Sequence, residues 1–391
     1  MKYAVQKLAL VLLGASPLLA AQAGVFAPAA GSTYSDAVAD TNPGIVGWAN
    51  GYQNYVIGGG VDSQFQTPVK SVGAAGNSNG LNEGYAFDIV TLGRGGSIVM
   101  TFDPPIVDGN GADFAVFENS FSNTFLELAK VEVSSDGVNF VQFPAFSMVP
   151  APVGGFGNLD PTDLEQLAGK YRGGYGTPFD LSQLAGNPLL DLNNIGFVRV
   201  VDVTGDGTAV NDISLEAVAH WANMAVGDLP AYVVDAVNAA PAVIYDPFPT
   251  VSSAGFDLDA VAVLNQRLIV TMDVKPADPD NNIDPDSTEV IPVAVLSSSV
   301  ADGDAIDFDA TQIDPSTLLF GYTEATNVST PVNSDVDGDG NTDMTVGFNT
   351  QDTGILCEDT ETVLLGETLG GEVFSATDFI TTSECDDGGC H

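Results

Sequence analysis

The chain has 391 residues, with 52 Asp+Glu against 10 Lys+Arg, a formal net charge of −42 and only 2 His. So few bases argue against neutralising nucleic-acid phosphates or an anionic membrane, and two histidines leave little for His-centred catalysis or a usual zinc site. Hydrophobic residues make up 45% of the chain and charged ones 16%, with 43 Gly and 22 Pro; that mixture points to folded, turn-rich β-structure whose acid calls for a hard cation.

Residues 1–23 read as a secretory signal peptide. Lys2 and Lys7 form a basic n-region, Leu8–Leu13 and Leu18–Ala20 an apolar run, and Ala21-Gln22-Ala23 a small-x-small cleavage site before Gly24. The run is short for a membrane span. The expectation is export to the exterior or cell surface without membrane insertion.

Residues 24–270 hold 26 acids and 7 bases, whereas 271–391 hold 26 acids and one base, Lys275. This shift predicts two domains. In the first, Gly96–Phe102, Asp113–Glu118, Leu126–Ser134, Phe140–Phe143, Gly196–Val203 and Asp257–Leu264 are strand-like runs between Gly, Pro, Asn and Asp clusters. Ser135-Asp136-Gly137 makes Lys130–Phe143 a predicted hairpin. Short strands without long helices between them imply an antiparallel sandwich. Asp160–Gly169 and Asp180–Ala185 read as short helical turns. The Ala-rich segment 209–240 has room for a helix, best over Leu215–Val226.

Three features of this first domain bear on function. Trp48 and Tyr52, in a Gly-rich loop, are candidates to stack on a sugar ring, with core packing the competing reading. Gly76-Asn77-Ser78-Asn79-Gly80 matches G-x-S-x-G but lacks the strand–turn–helix context of a nucleophile elbow, and His220 is the sole base at hand apart from the terminal His391. Glu118, in a strand mostly of Phe, Val and Ala, is the acid to expect perturbed, through pairing in the sandwich or a bound Ca2+.

In the second part, Ile269–Val274, Val290–Leu296, Leu318–Gly321, Asp343–Phe348 and Thr362–Leu365 continue the β idiom. Its sharpest signal is Asp335-Val-Asp337-Gly-Asp339-Gly340-Asn-Thr-Asp343. Carboxylates at positions 1, 3, 5 and 9 with Gly at 6 suit a loop wrapped on Ca2+, since four acids in nine residues repel one another without a cation. Position 12 is Val346, not the Glu of an EF-hand, and a strand pattern follows. The loop therefore resembles the short calcium loops of extracellular repeat and β-propeller proteins. Asp278, Asp280, Asn282, Asp284 and Asp286 form a second acidic group, read equally as a solvated turn. Cys357, Cys385 and Cys390 lie in the last 35 residues; an oxidising compartment favours a Cys357–Cys385 bridge, and Cys385–His391 has the wrong spacing for haem attachment.

Two stretches resemble known families. Gly111–Phe121 and Leu128–Phe140, extended by Tyr175–Leu181, Val198–Asp202, Tyr245–Thr250 and Gly255–Val261, resemble a family of secreted bacterial cell-surface proteins. The hairpin and closing strand also look like the galactose-binding-like (discoidin-type) jelly roll. That resemblance implies a structural Ca2+ gripped by Asp257 or Asp259, with Asp36 or Asp40 from the N-terminal loop, and makes 209–240 an insertion. Residues 271–385 resemble a C-terminal module of secreted prokaryotic proteins, which the paired Cys357 and Cys385 also fit.

The expected protein is all-β: a jelly-roll β-sandwich over 24–270, followed by a smaller β-sandwich over 271–391. It is expected to be calcium-stabilised and non-catalytic, with a glycan or cell-surface component as partner. The alternatives are an extracellular polysaccharide-degrading enzyme and a purely structural matrix component.

Overall fold

The computed structural model describes residues 25–76, 87–210, 215–222, 224–238, 243–250 and 252–383. The expected signal peptide, the Asn77–Gly80 part of the G-x-S-x-G match, Cys385, Cys390 and His391 lie outside them. Among the described residues no helix is long and apolar enough to cross a membrane.

The protein is all-β. Two sheets face each other across the first core. One runs Val38–Ala39, Tyr175–Phe179, Phe114–Glu118, Asp257–Val263, Gly47–Trp48, with Val90–Thr91 also paired to the Asp257 end. The other runs Gly51–Val56, Ser97–Ile106, Ile195–Asp202, Ala129–Ser134, Val141–Gln142. Every pairing in both is antiparallel. Alternate residues of the central strands point inward: Ile98, Met100, Val131, Val133, Val198 and Val200 from one sheet meet Phe114, Val116, Val261 and Val263 from the other. At its centre Phe114 stacks on Phe179 with centroids 5.2 Å apart, and Phe143 packs against both at 5.8 and 5.1 Å.

A second core, drawn wholly from residues 270–380, lies between two further sheets. One runs Leu268–Val270, Val373–Phe379, Glu361–Glu367, Leu319–Phe320, Ala325–Thr326; the other runs Met272–Val274, Val290–Val295, Asp343–Asn349, Val332–Ser334. The predicted strand Ile269–Val274 divides at Thr271. Its first half pairs parallel with Val373–Phe379, and its second pairs antiparallel with Val290–Val295 in the facing sheet. Lys275, the domain's one base, turns back at φ 54°, its ammonium 3.5 Å from the Asp278 carboxylate and donating to the Asn282 carbonyl.

The hairpin forms as expected, with Glu132 opposite Gln142, and the Asp136 carboxylate accepts the Val138 and Asn139 amides in its turn. The helical turns are shorter than expected. Each is one 3-10 turn, Pro161–Asp163 and Leu181–Leu184, capped by Asp160 on the Thr162 amide and Asp180 on the Ser182 amide. Leu164–Glu165 leaves the first turn as a strand because it pairs with Phe146–Ser147. The 209–240 segment holds two helices, Leu215–Trp221 and Ala231–Asn238. The first stops short of the expected Val226, where a 3-10 turn, Val226–Asp228, intervenes.

Candidate metal centres and an aromatic surface

The nine-residue loop joins two paired strands, with Ser334 opposite Asp343. Gly338 and Gly340 sit at φ 84° and 97°, where side chains are strained, and their amides donate to the two oxygens of Asp335 at 2.7 and 3.2 Å. The chain curls around Asp335 and brings oxygens of Asp335, Asp337 and Asp343 within 4.8 Å of one another. Asp343 is fully buried, its oxygens accepting the Ser297 and Val336 amides at 2.8 and 2.7 Å. Asp339 is the fourth expected ligand, but it is not in this group. Its carboxylate accepts the Asn341 backbone and side-chain amides, which hold it below the usual carboxylate range. Three convergent carboxylates, one anchored from beneath by amides, form a donor set suited to a hard divalent cation such as Ca2+.

The closing strand separates its two candidates. The pairing register with Phe114–Glu118 shifts between Leu258 and Ala260, so Asp257 and Asp259 enter different surroundings. Asp257 accepts hydrogen bonds from the Thr91 hydroxyl and, at 3.3 Å, the Asn119 amide; burial pushes it up to about 7. Asp259 accepts the Gly76 amide at 2.9 and 3.2 Å and is pushed up to about 8 by burial, with Asp88 and Asp40 adding to the rise. Of the two N-terminal acids that the resemblance named, Asp40 contributes to that rise, whereas Asp36 accepts from the Tyr171 hydroxyl. Glu118 is as perturbed as its strand suggested: it is 1% exposed and held well above the usual range by burial, then by Glu127 and Asp257.

A further carboxylate group was not anticipated. Oxygens of Asp108, Asp113 and Asp180 also close to within 4.8 Å. Asp113 is fully buried, accepts the Gly109 and Leu181 amides at 2.8 and 2.7 Å and the Asn265 side chain at 2.9 Å, and is pushed up to about 6 by burial. These acids come from the Phe114 strand's entry and from the turn capped by Asp180, some 70 residues later, a meeting that no local spacing encodes.

The aromatic candidates do not form one surface. Trp48 lies on one sheet with its ring tilted on Phe117 at 5.5 Å, packed at the edge of a small buried cluster; Tyr52, 42% exposed, lies on the edge strand of the other sheet. The exposed aromatics gather elsewhere. Phe125 stacks between Phe121 and Phe156, both spacings 6.1 Å, and the outer rings are 74% and 85% exposed. Stacking across two loops makes this ladder, and residue spacing gives no sign of it.

No protein-family model matches the chain, and no curated protein matches it.

Proposed function

We propose that this is a secreted, calcium-stabilised, non-catalytic protein that binds a glycan or another cell-surface component through the loops of its first domain. The observation that carries the reading is the Phe121–Phe125–Phe156 ladder. Large apolar rings left this exposed, and held in register by stacking, cost solubility unless they meet a partner. Flat rings suit the C–H faces of sugar units, and a chain with this much negative charge disfavours polyanionic partners. The Asp335–Asp337–Asp343 group supports the calcium part of the reading. A Cys357–Cys385 bridge would fit the same oxidising exterior.

The test is glycan-array binding by the full chain beside a Phe121→Ala/Phe156→Ala variant. Binding that the double variant loses, at an unchanged melting temperature, supports the reading; binding that survives the substitutions overturns the role of the ladder. Release of reducing ends from a polysaccharide would replace the reading with the enzymatic alternative. Self-association without glycan binding would replace it with the matrix alternative.

A further inference from the structure

The two domains meet without a free linker. The Val107 amide donates to the Asn265 carbonyl, the Gln266 side chain donates to the Pro104 carbonyl at 2.7 Å, and the Arg267 amide donates to the Pro105 carbonyl. The next residue, Leu268, already pairs with Phe374 in a sheet of the second domain. Beside this junction lies a cavity of about 660 Å3. The 107–110 loop and the junction residues wall one side of it, and Ala305, Ile306 and the 370–373 turn wall the other. Small-ligand sites run from roughly 300 to 1,000 Å3 and favour such seams between domains.

The lining has a definite chemistry. Val46, Val107, Leu264, Ile306 and Val373 make it aliphatic, and among the described residues on its wall none is aromatic. Among those residues Arg267 is the one base. Its guanidinium is fixed by Nη2, which donates to the Asn193 carbonyl; Nε is buried without an acceptor, and among the described residues Arg267 has no ion pair. An under-used guanidinium fork suits a carboxylate. Acid enters the wall at Asp108 and Glu372. Asp108 has a buried Oδ1 that makes no hydrogen bond, and oxygens of Asp113 and Asp180 lie within 4.8 Å of its carboxylate, which deepens this negative pole.

The two poles select the ligand. A simple anion on Arg267 would face Asp108 and Glu372, and the chain's net charge of −42 opposes its entry. A simple cation would leave the guanidinium without a partner. The hydroxyls of a sugar can serve both poles, but its C–H face finds no ring to lie on. A zwitterion meets both poles, carries no net charge into the field, and can turn an aliphatic side chain to the walls.

We propose that the junction cavity binds a small zwitterion with an aliphatic side chain, a free amino acid or a short peptide, with its carboxylate on Arg267, its ammonium on Asp108 and its side chain against Val107 and Ile306. The site depends neither on calcium nor on the phenylalanine ladder.

The test is isothermal titration of the full chain with leucine and with leucyl-leucine, which separate a free amino acid from a peptide. Binding of either that weakens about tenfold or more in Arg267→Gln and in Asp108→Asn supports the proposal. Blocked probes check the poles without altering the protein, and they decide alone if the variants do not fold. The N-acetylated probe lacks the ammonium and the amidated probe lacks the carboxylate, so each should bind about tenfold or more weakly than its parent. Failure of both parents to bind at millimolar concentration overturns the proposal, as do blocked forms that bind equally well or a folded Arg267→Gln that retains full binding. Loss of probe binding in Phe121→Ala/Phe156→Ala would move the site to the ladder and overturn it too.

Discussion

Asp343 has two tasks that substitution can separate. Its carboxylate accepts two backbone amides, from Ser297 and Val336, and also joins the group formed with Asp335 and Asp337. Asp337 is exposed and accepts the Asp339 amide, at 3.1 Å, within its own turn. In Asp343→Asn the amide nitrogen must face one of the two N–H groups, leaving a buried donor unpaired at a cost of about 1–3 kcal/mol whether or not a cation is present. Asp337→Ala removes little besides a ligand. If the loop holds Ca2+, an ion at about 100-fold above Kd adds about 2.7 kcal/mol to the wild-type domain. For a domain of this size that corresponds to roughly 10 °C in the unfolding temperature. Calorimetry in EGTA should therefore show Asp343→Asn depressed by several degrees and Asp337→Ala close to wild type. With Ca2+, the wild type should gain roughly 10 °C in its second-domain transition and both variants should lose most of that gain. A wild-type transition indifferent to EGTA, or an Asp337→Ala variant that gains as much as wild type, would refute the reasoning.

Phe114→Ala should cost about 3–5 kcal/mol, because it opens a cavity where Phe179 and Phe143 both pack. The two cores share no residues, so calorimetry should show the first-domain transition falling by roughly 10 °C and the second unmoved; transitions that fall together would contradict independent cores. The pH profile offers another check through Asp113, which is fully buried and pushed up to about 6 by burial. Between its unfolded value near 4 and about 6, the folded chain holds a proton that the unfolded chain has released. The contribution is thus fully present below pH ~4 and is lost as pH rises through about 6, a fall of about 3 kcal/mol. Urea titrations from pH 4 to 7 should show a shallower decline in Asp113→Asn, and an identical slope would remove Asp113 as a cause.

The strands legible in the sequence are those whose alternation buries one face, such as Ala129–Ser134 and Ile195–Asp202. The missed strands owe their conformation to a neighbour. Gly51–Val56 is an edge strand with no fully buried residue, and Tyr175–Phe179 carries Pro178 yet pairs with Phe114–Glu118 in the interior of its sheet. The same division governs the sites. The Asp335 loop is contiguous, so its spacing shows in one line of sequence, although Asp339's turning to Asn341 does not. The Asp108–Asp113–Asp180 group, the acids around Glu118 and the phenylalanine ladder are assembled by strand register and loop packing. A one-residue shift in the closing strand is enough to send Asp257 and Asp259 to different neighbours.

The turn at Lys275 has a consequence for how the second domain would endure among proteases. An enzyme that cleaves after basic residues finds one such residue between 271 and 391. There the ammonium such an enzyme must capture is already engaged by Asp278 and the Asn282 carbonyl, and the next residue is Pro276, whose ring obstructs cleavage of the preceding bond. Trypsin-like digestion of the folded chain should therefore cut within the first domain and leave the acidic second domain uncut, a durability that comes from charge composition and one turn.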